Sequence, residues 1–80
     1  MLEITVYGPG CAKCKETEKR VRHALEQAGL EGSVRKATDF SEMARAGVLM
    51  TPAVAVNGVV RISGRVPDEA EIAAWLAGAH

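Results

Sequence analysis

The 80-residue chain has few groups able to cross-link it or stack it: two cysteines and three aromatics, Tyr7, Phe40 and Trp75. It also lacks an excess of either charge, with ten Lys and Arg against ten Asp and Glu. A balanced surface has no basic field to hold a phosphate backbone or an anionic lipid surface, so neither nucleic acid nor a membrane is an expected partner. No apolar run approaches the roughly 18 residues that a spanning helix needs. Met1 leads into a short alternating segment rather than the basic start and apolar middle of a signal peptide. The expectation is a soluble, cytoplasmic monomer with one domain over residues 1–80. So short a chain has a small core, yet Cys11 and Cys14 cannot staple it, because closing so tight a loop removes little unfolded-chain entropy. The pair is explained by chemistry or, on a blander reading, as two small buried hydrophobes.

The chain alternates strand and helix signals. Leu2 to Tyr7 has period two, with Leu2, Ile4 and Val6 on one face, and Gly8-Pro9-Gly10 stops it. From Cys11 to about Ala28, the residues Cys14, Thr17, Val21, Ala24, Leu25 and Ala28 recur at helical spacing, and Gly29 marks the end. The opposite face carries Glu16 with Arg20 and Glu18 with Arg22 at the favourable four-residue spacing, a solvated face rather than a binding patch. Ser33 to Ala37 reads as a short strand. Asp39 then caps a helix running through Ala46, with Glu42 reaching back to complete a capping box. Asn57-Gly58 between Ala53–Val56 and Val59–Ile62 predicts a hairpin through a type I′ turn. Pro67-Asp68-Glu69 opens a last helix with Pro in its first turn, and Ile72, Trp75, Leu76 and Ala79 form its buried stripe. The order is βαβαββα.

Cys11-Ala12-Lys13-Cys14 falls where a strand gives way to a helix. Free backbone N–H groups and the positive end of the helix dipole favour a thiolate at the first residue, and Lys13 and Lys15 add positive charge nearby. A spacing of two residues sets the cysteines one turn apart, close enough for their sulfurs to bond and release. Cys14 shares the buried stripe while Cys11 sits at the cap and faces outward, which makes Cys11 the attacking thiol and Cys14 the resolving one. Tyr7 ends its strand near this site, where it either stacks as a modulator or packs into the core. Trp75 reads as core.

The stretch Val6-Tyr7-Gly8-Pro9-Gly10-Cys11-Ala12-Lys13-Cys14, with Thr51-Pro52 before the hairpin and Gly64 after it, resembles the thioredoxin and glutaredoxin superfamily. Within it, the chain is similar to the small redox-active disulfide proteins. The resemblance covers nearly the whole sequence and implies an α/β, thioredoxin-like (glutaredoxin-like) fold: a four-stranded mixed sheet flanked by three helices. It implies a thiol–disulfide oxidoreductase with no cofactor beyond the Cys11–Cys14 pair and no metal. Protein or small-molecule disulfides would be its substrates, and a flavin-dependent thioredoxin reductase its electron donor. It further implies a cis-proline at Pro52, with Thr51 offering backbone groups to a bound polypeptide, and Gly10 and Gly64 beside them in substrate binding. Lys13 and Tyr7 take modulating roles. The chain departs from thioredoxins in having Gly10 where they carry Trp and Ala12-Lys13 where they carry Gly-Pro. It departs from glutaredoxins in having Ser63-Gly64-Arg65-Val66-Pro67-Asp68 where a Gly-Gly turn and acids hold glutathione, so glutathione is expected to be a poor reductant.

The same Cys-x-x-Cys pair also fits a soft-metal carrier for copper(I) or zinc. Heavy-metal-associated domains place it at a similar strand-to-helix junction, but they follow a βαββαβ order with a final strand. A four-ligand zinc site is weaker still, since His23 lies about two and a half turns beyond Cys14, roughly 13 Å along the helix, and His80 is a chain end. An interaction module carrying a vestigial disulfide is the third class.

Overall fold

The computed structural model describes residues 2–79, with Ala79 described by its backbone alone. The segment start at Met1, the side chain of Ala79 in the last helical stripe and His80 as a distant ligand lie outside the described residues. The elements run β1 (Leu2–Tyr7), α1 (Ala12–Ala28), β2 (Gly32–Ala37), α2 (Phe40–Ala46), β3 (Ala53–Val56), β4 (Val59–Ser63) and α3 (Glu69–Ala79). They form a four-stranded sheet in the order β2-β1-β3-β4. β1 and β2 are parallel, and the β1–β3 and β3–β4 pairs are antiparallel. This is the mixed α/β sheet with three helices that the resemblance implied, in the element order read from the sequence.

Period two in the central strands divides the interior into two cores. Leu2, Ile4, Val6, Val54 and Val56 face Val21, Leu25, Ile72 and Leu76 of α1 and α3. Tyr7, Ala53 and Ala55 belong to the other cluster, with Ala37, Met43 of α2 and Val48. β3 is buried at every position because helices cover both of its faces. β4 is a largely exposed edge, bulged opposite Val54 and Ala55. Among the described residues, no helix is long and apolar enough to cross a membrane.

Local chemistry sets the element ends. The hairpin turns through Asn57 at φ 51° and Gly58 at φ 83°, both in the left-handed region that a type I′ turn demands. On the solvated face of α1, Glu16–Arg20 and Glu18–Arg22 pair at 2.9 and 2.8 Å. Arg20 also donates to the carbonyl of Pro67 at 2.9 Å, tying α1 to the segment before α3.

Three local expectations are corrected. Asp39 does cap α2, accepting from the Ser41 N–H at 2.7 Å, but Glu42 pairs with Arg35 of β2 instead of reaching back. The last helix begins at Glu69, so Pro67 is not in its first turn but lies buried before it. The capping box belongs here: the Glu71 N–H donates to Asp68 Oδ1 at 2.8 Å, and the Asp68 N–H donates to Glu71 Oε1 at 3.2 Å. Trp75 is only partly buried, packed against the margin of the larger core.

Glu71 also accepts a two-pronged bond from Arg65, 2.7 Å at each oxygen. The Arg65 guanidinium, helped by the Asp68 N–H, holds its carboxyl at about 2. A carboxylate whose folded pKa is depressed stabilises the fold above its unfolded value, near 4.3, and loses that contribution as pH falls towards the folded value. Glu71→Gln should therefore lower the denaturant midpoint at pH 7. The gap from the parent should narrow between about pH 4 and pH 2, as chemical denaturation across that range would record.

Candidate active site

The parallel β1 and β2 end side by side, and the Gly8 N–H donates to the Ala37 carbonyl at 3.0 Å just past the last β1 residue. β3 begins on the other side of β1, where Ala53 is registered against Tyr7. The Gly8–Gly10 turn, the start of α1 and the loop before β3 therefore converge at one end of the sheet.

Cys11 is the N-cap of α1, with extended backbone at φ −69° and ψ 172°. Its carbonyl accepts from the Lys15 N–H at 3.0 Å, while the donors of the first turn remain free to face its sulfur. Cys11 is exposed and Cys14 is buried, as the helical stripe predicts, and both are free thiols. Their sulfurs lie 3.0 Å apart. The hydrogen bond from Cys14, followed by the backbone N–H of Cys14 and then that of Lys13, holds the Cys11 thiol below its ordinary range. Burial pushes the Cys14 thiol up, and its hydrogen bond to Cys11 adds to the shift. One geometry thus moves the two cysteines in opposite directions: the exposed sulfur favours the thiolate and the buried one keeps its proton.

The remaining predicted residues fall in several places. Thr51-Pro52 precedes β3, and its peptide bond is cis. Pro52 is buried, and its carbonyl accepts from the Gly64 N–H at 2.9 Å. Gly64 thus spends its donor on holding this loop, and Met50 packs over it, with Met50 Cβ and Sδ each 3.4 Å from where a Gly64 side chain would begin. Among the described residues, no hydrogen bond engages the backbone of Thr51. Gly10 stands at φ 92° in open space before Cys11, and its backbone exerts a smaller downward pull on the Cys14 thiol that opposes burial. Lys13 is exposed, and its carbonyl accepts from the buried Thr17 hydroxyl at 2.8 Å, which closes the first turn of α1.

Tyr7 packs into the smaller core. As residue 7 of a period-two strand it faces α2, away from the side that meets α1, and it packs with Met43 and Val48. His23 is bonded to Glu69 of α3 at 2.6 Å, far along α1 from the cysteines. A surface depression of about 890 Å³ runs along the charged face of α1 between Lys15 and Glu26, and neither cysteine lines it.

Two features had no counterpart in the sequence reading. Leu49 and Met50 are 93% and 62% exposed, so an apolar rim borders Thr51. The apolar run Val48-Leu49-Met50 next to Thr51-Pro52 was the available signal, since a loop of that composition with only Val48 buried leaves two large side chains in water. The other feature is Gly8, whose missing side chain leaves room for the Cys14 sulfur.

The comparisons agree with this geometry. The family model of the thioredoxin domain matches residues 2–77. A thioredoxin of Methanothermobacter thermautotrophicus is 36% identical over 72 residues, which cover 90% of this chain and 94% of that protein. A thioredoxin of Methanocaldococcus jannaschii is 38% identical over 72 residues, covering 90% and 83% respectively. The soft-metal carrier is not supported, because that reading requires a closing strand where the chain has α3. With a matching domain along almost its full length, the cysteine pair at the start of α1 and the β2-β1-β3-β4 sheet behind it, the chain belongs to the thioredoxin family of thiol–disulfide oxidoreductases.

Proposed function

We propose that the chain reduces disulfides by two-step exchange, with Cys11 as nucleophile and Cys14 as resolving thiol. The observation that carries this reading is the pairing of an exposed Cys11 with a buried Cys14, sulfurs 3.0 Å apart at the start of α1. The Cys11 thiolate attacks one sulfur of a substrate disulfide. That S–S bond breaks, and the departing sulfur leaves as a thiolate that takes up a proton. Cys14 then gives up its proton and attacks the Cys11 sulfur, releasing the second substrate sulfur and closing the Cys11–Cys14 disulfide. The substrate gains two electrons and two protons, and the protein loses them.

An extended substrate segment pairs with the backbone N–H and C=O of Thr51, in the manner of strand addition, with Leu49 and Met50 beneath its apolar side chains. This fits protein disulfides better than small ones. A flavin-dependent thioredoxin reductase restores the dithiol, without a resident cofactor or metal, and the protein acts as a cytoplasmic monomer formed by one domain. Support for this donor over glutathione comes from Val66-Pro67, where Pro67 has no N–H to offer a tripeptide.

Turnover of a protein disulfide coupled to the purified flavoenzyme tests the reading. The expected result is sustained reduction with that donor and much slower reduction with glutathione and glutathione reductase. Equal rates with the two donors contradict the donor assignment, and no reduction with either contradicts the exchange itself.

A further inference from the structure

Gly8 follows the last residue of β1, and its backbone does not require glycine. Gly10 and Gly64 have φ near 92°, whereas Gly8 is not among the residues with positive φ. Its need is for space. A Cβ built on Gly8 would fall inside the van der Waals envelope of Cys14 Sγ, 3.1 Å from Cys14 Cβ and 3.7 Å from Thr51 Cβ. At Gly10 the same added atom meets nothing within 4 Å. Nor can the backbone at residue 8 retreat freely, because its N–H is held by the Ala37 carbonyl at 3.0 Å.

We infer that Gly8 is a positioning residue for the resolving step: the volume left by its missing side chain is the slot that seats Cys14 Sγ 3.0 Å from Cys11 Sγ and beside Thr51. The inference rests on the assignment of Cys14 as the resolving thiol. In that step the Cys14 thiolate forms a bond to the Cys11 sulfur while the bond from Cys11 to the substrate sulfur breaks, and the substrate departs as a thiolate. Attack of this kind needs the three sulfurs nearly in line. A methyl group at residue 8 forces either Cys14 Sγ out of its slot or the start of α1 away from β1, and both changes break the alignment.

Gly8→Ala is the test. In a single turnover, the mixed disulfide on Cys11 should form and then persist, its resolution slowed on the order of 100-fold, the scale of effect for a 1 Å misplacement of a reacting group. The pH midpoint of Cys11 alkylation should rise, because the hydrogen bond from Cys14 is lost, while its rate at high pH stays the same. Gly32→Ala is the structural control: its added atom meets Leu2 Cβ and Leu2 O at 3.1 Å, far from the cysteines. That variant should lose stability and keep the parental lifetime of the mixed disulfide.

A stability cycle covers the case in which Gly8→Ala fails to fold. The cost of the added methyl should shrink when Cys14→Ala removes the sulfur, with a residue left by the 3.1 Å approach to Cys14 Cβ. Parental resolution kinetics in Gly8→Ala, or the same loss of stability with and without the Cys14 sulfur, would overturn the inference. If the parent never forms a Cys11–Cys14 disulfide, the exchange reading fails instead, and the cycle still reports on the slot.

Discussion

Cys14→Ser should hold the protein at its first chemical step, as a covalent complex between Cys11 and half of the substrate disulfide. The variant keeps the exposed thiol at the head of α1 but has no second sulfur with which to displace the substrate. Cys11→Ser should give no complex at all, because the remaining sulfur is buried and burial pushes its thiol up, away from the thiolate form. Turnover should fall in both by roughly a thousandfold or more, the scale expected when an attacking group is removed. Mass spectrometry after mixing with a protein disulfide separates them: an adduct on Cys11 in the first variant and unmodified protein in the second. An adduct trapped by Cys11→Ser would reverse the two roles.

The largest effect on folding should come from Ile4→Ala. Ile4 lies in the middle of β1, registered against Val34 on one side and Val56 on the other, and is 2% exposed beneath α1 and α3. Truncating such a side chain removes its transfer free energy and leaves a cavity, a loss of about 2 to 5 kcal/mol. A chain of this length has a total stability of roughly 4 to 12 kcal/mol. The variant should therefore lose a large share of its stability, seen as a drop in the urea midpoint at unchanged slope. Leu49→Ala, at the rim of the site and 93% exposed, should move the midpoint by no more than about 0.5 kcal/mol in equivalent stability. It should instead slow exchange with a protein disulfide more than exchange with a small disulfide reagent.

The features legible in the sequence are those decided by near neighbours. Alternation in β1, the apolar stripe of α1 and the Asn57-Gly58 turn each follow from residues a few positions apart, and the structure has them where the pattern placed them. The separation of Cys11 from Cys14 by one helical turn is equally local, so the unequal exposure of the two sulfurs could be read from spacing. Where a long-range partner competed, the local pattern misled. Glu42 had the spacing for a capping box, but the guanidinium of Arg35 on the neighbouring strand β2 took it. Pro67 suggested an early start to α3, although Asp68 and Glu71 carried the better capping pattern. Tyr7 was ambiguous because the side chain that packs on its face of the sheet, Met43, comes from α2, and no short-range signal says which face that helix covers. Gly8 looked like part of a turn, and only the packed structure gives its second reason, the sulfur of Cys14.

Whether Cys11 and Cys14 form one redox couple is decided by equilibrating the protein in graded ratios of a reduced and an oxidised dithiol. A single transition is expected between two species differing by two hydrogens, with Cys11 and Cys14 linked within one chain and a slope of about 30 mV per tenfold change in ratio, as for a two-electron couple. Independent oxidation of the two cysteines, each ending as a separate mixed disulfide with no link between them, would contradict it.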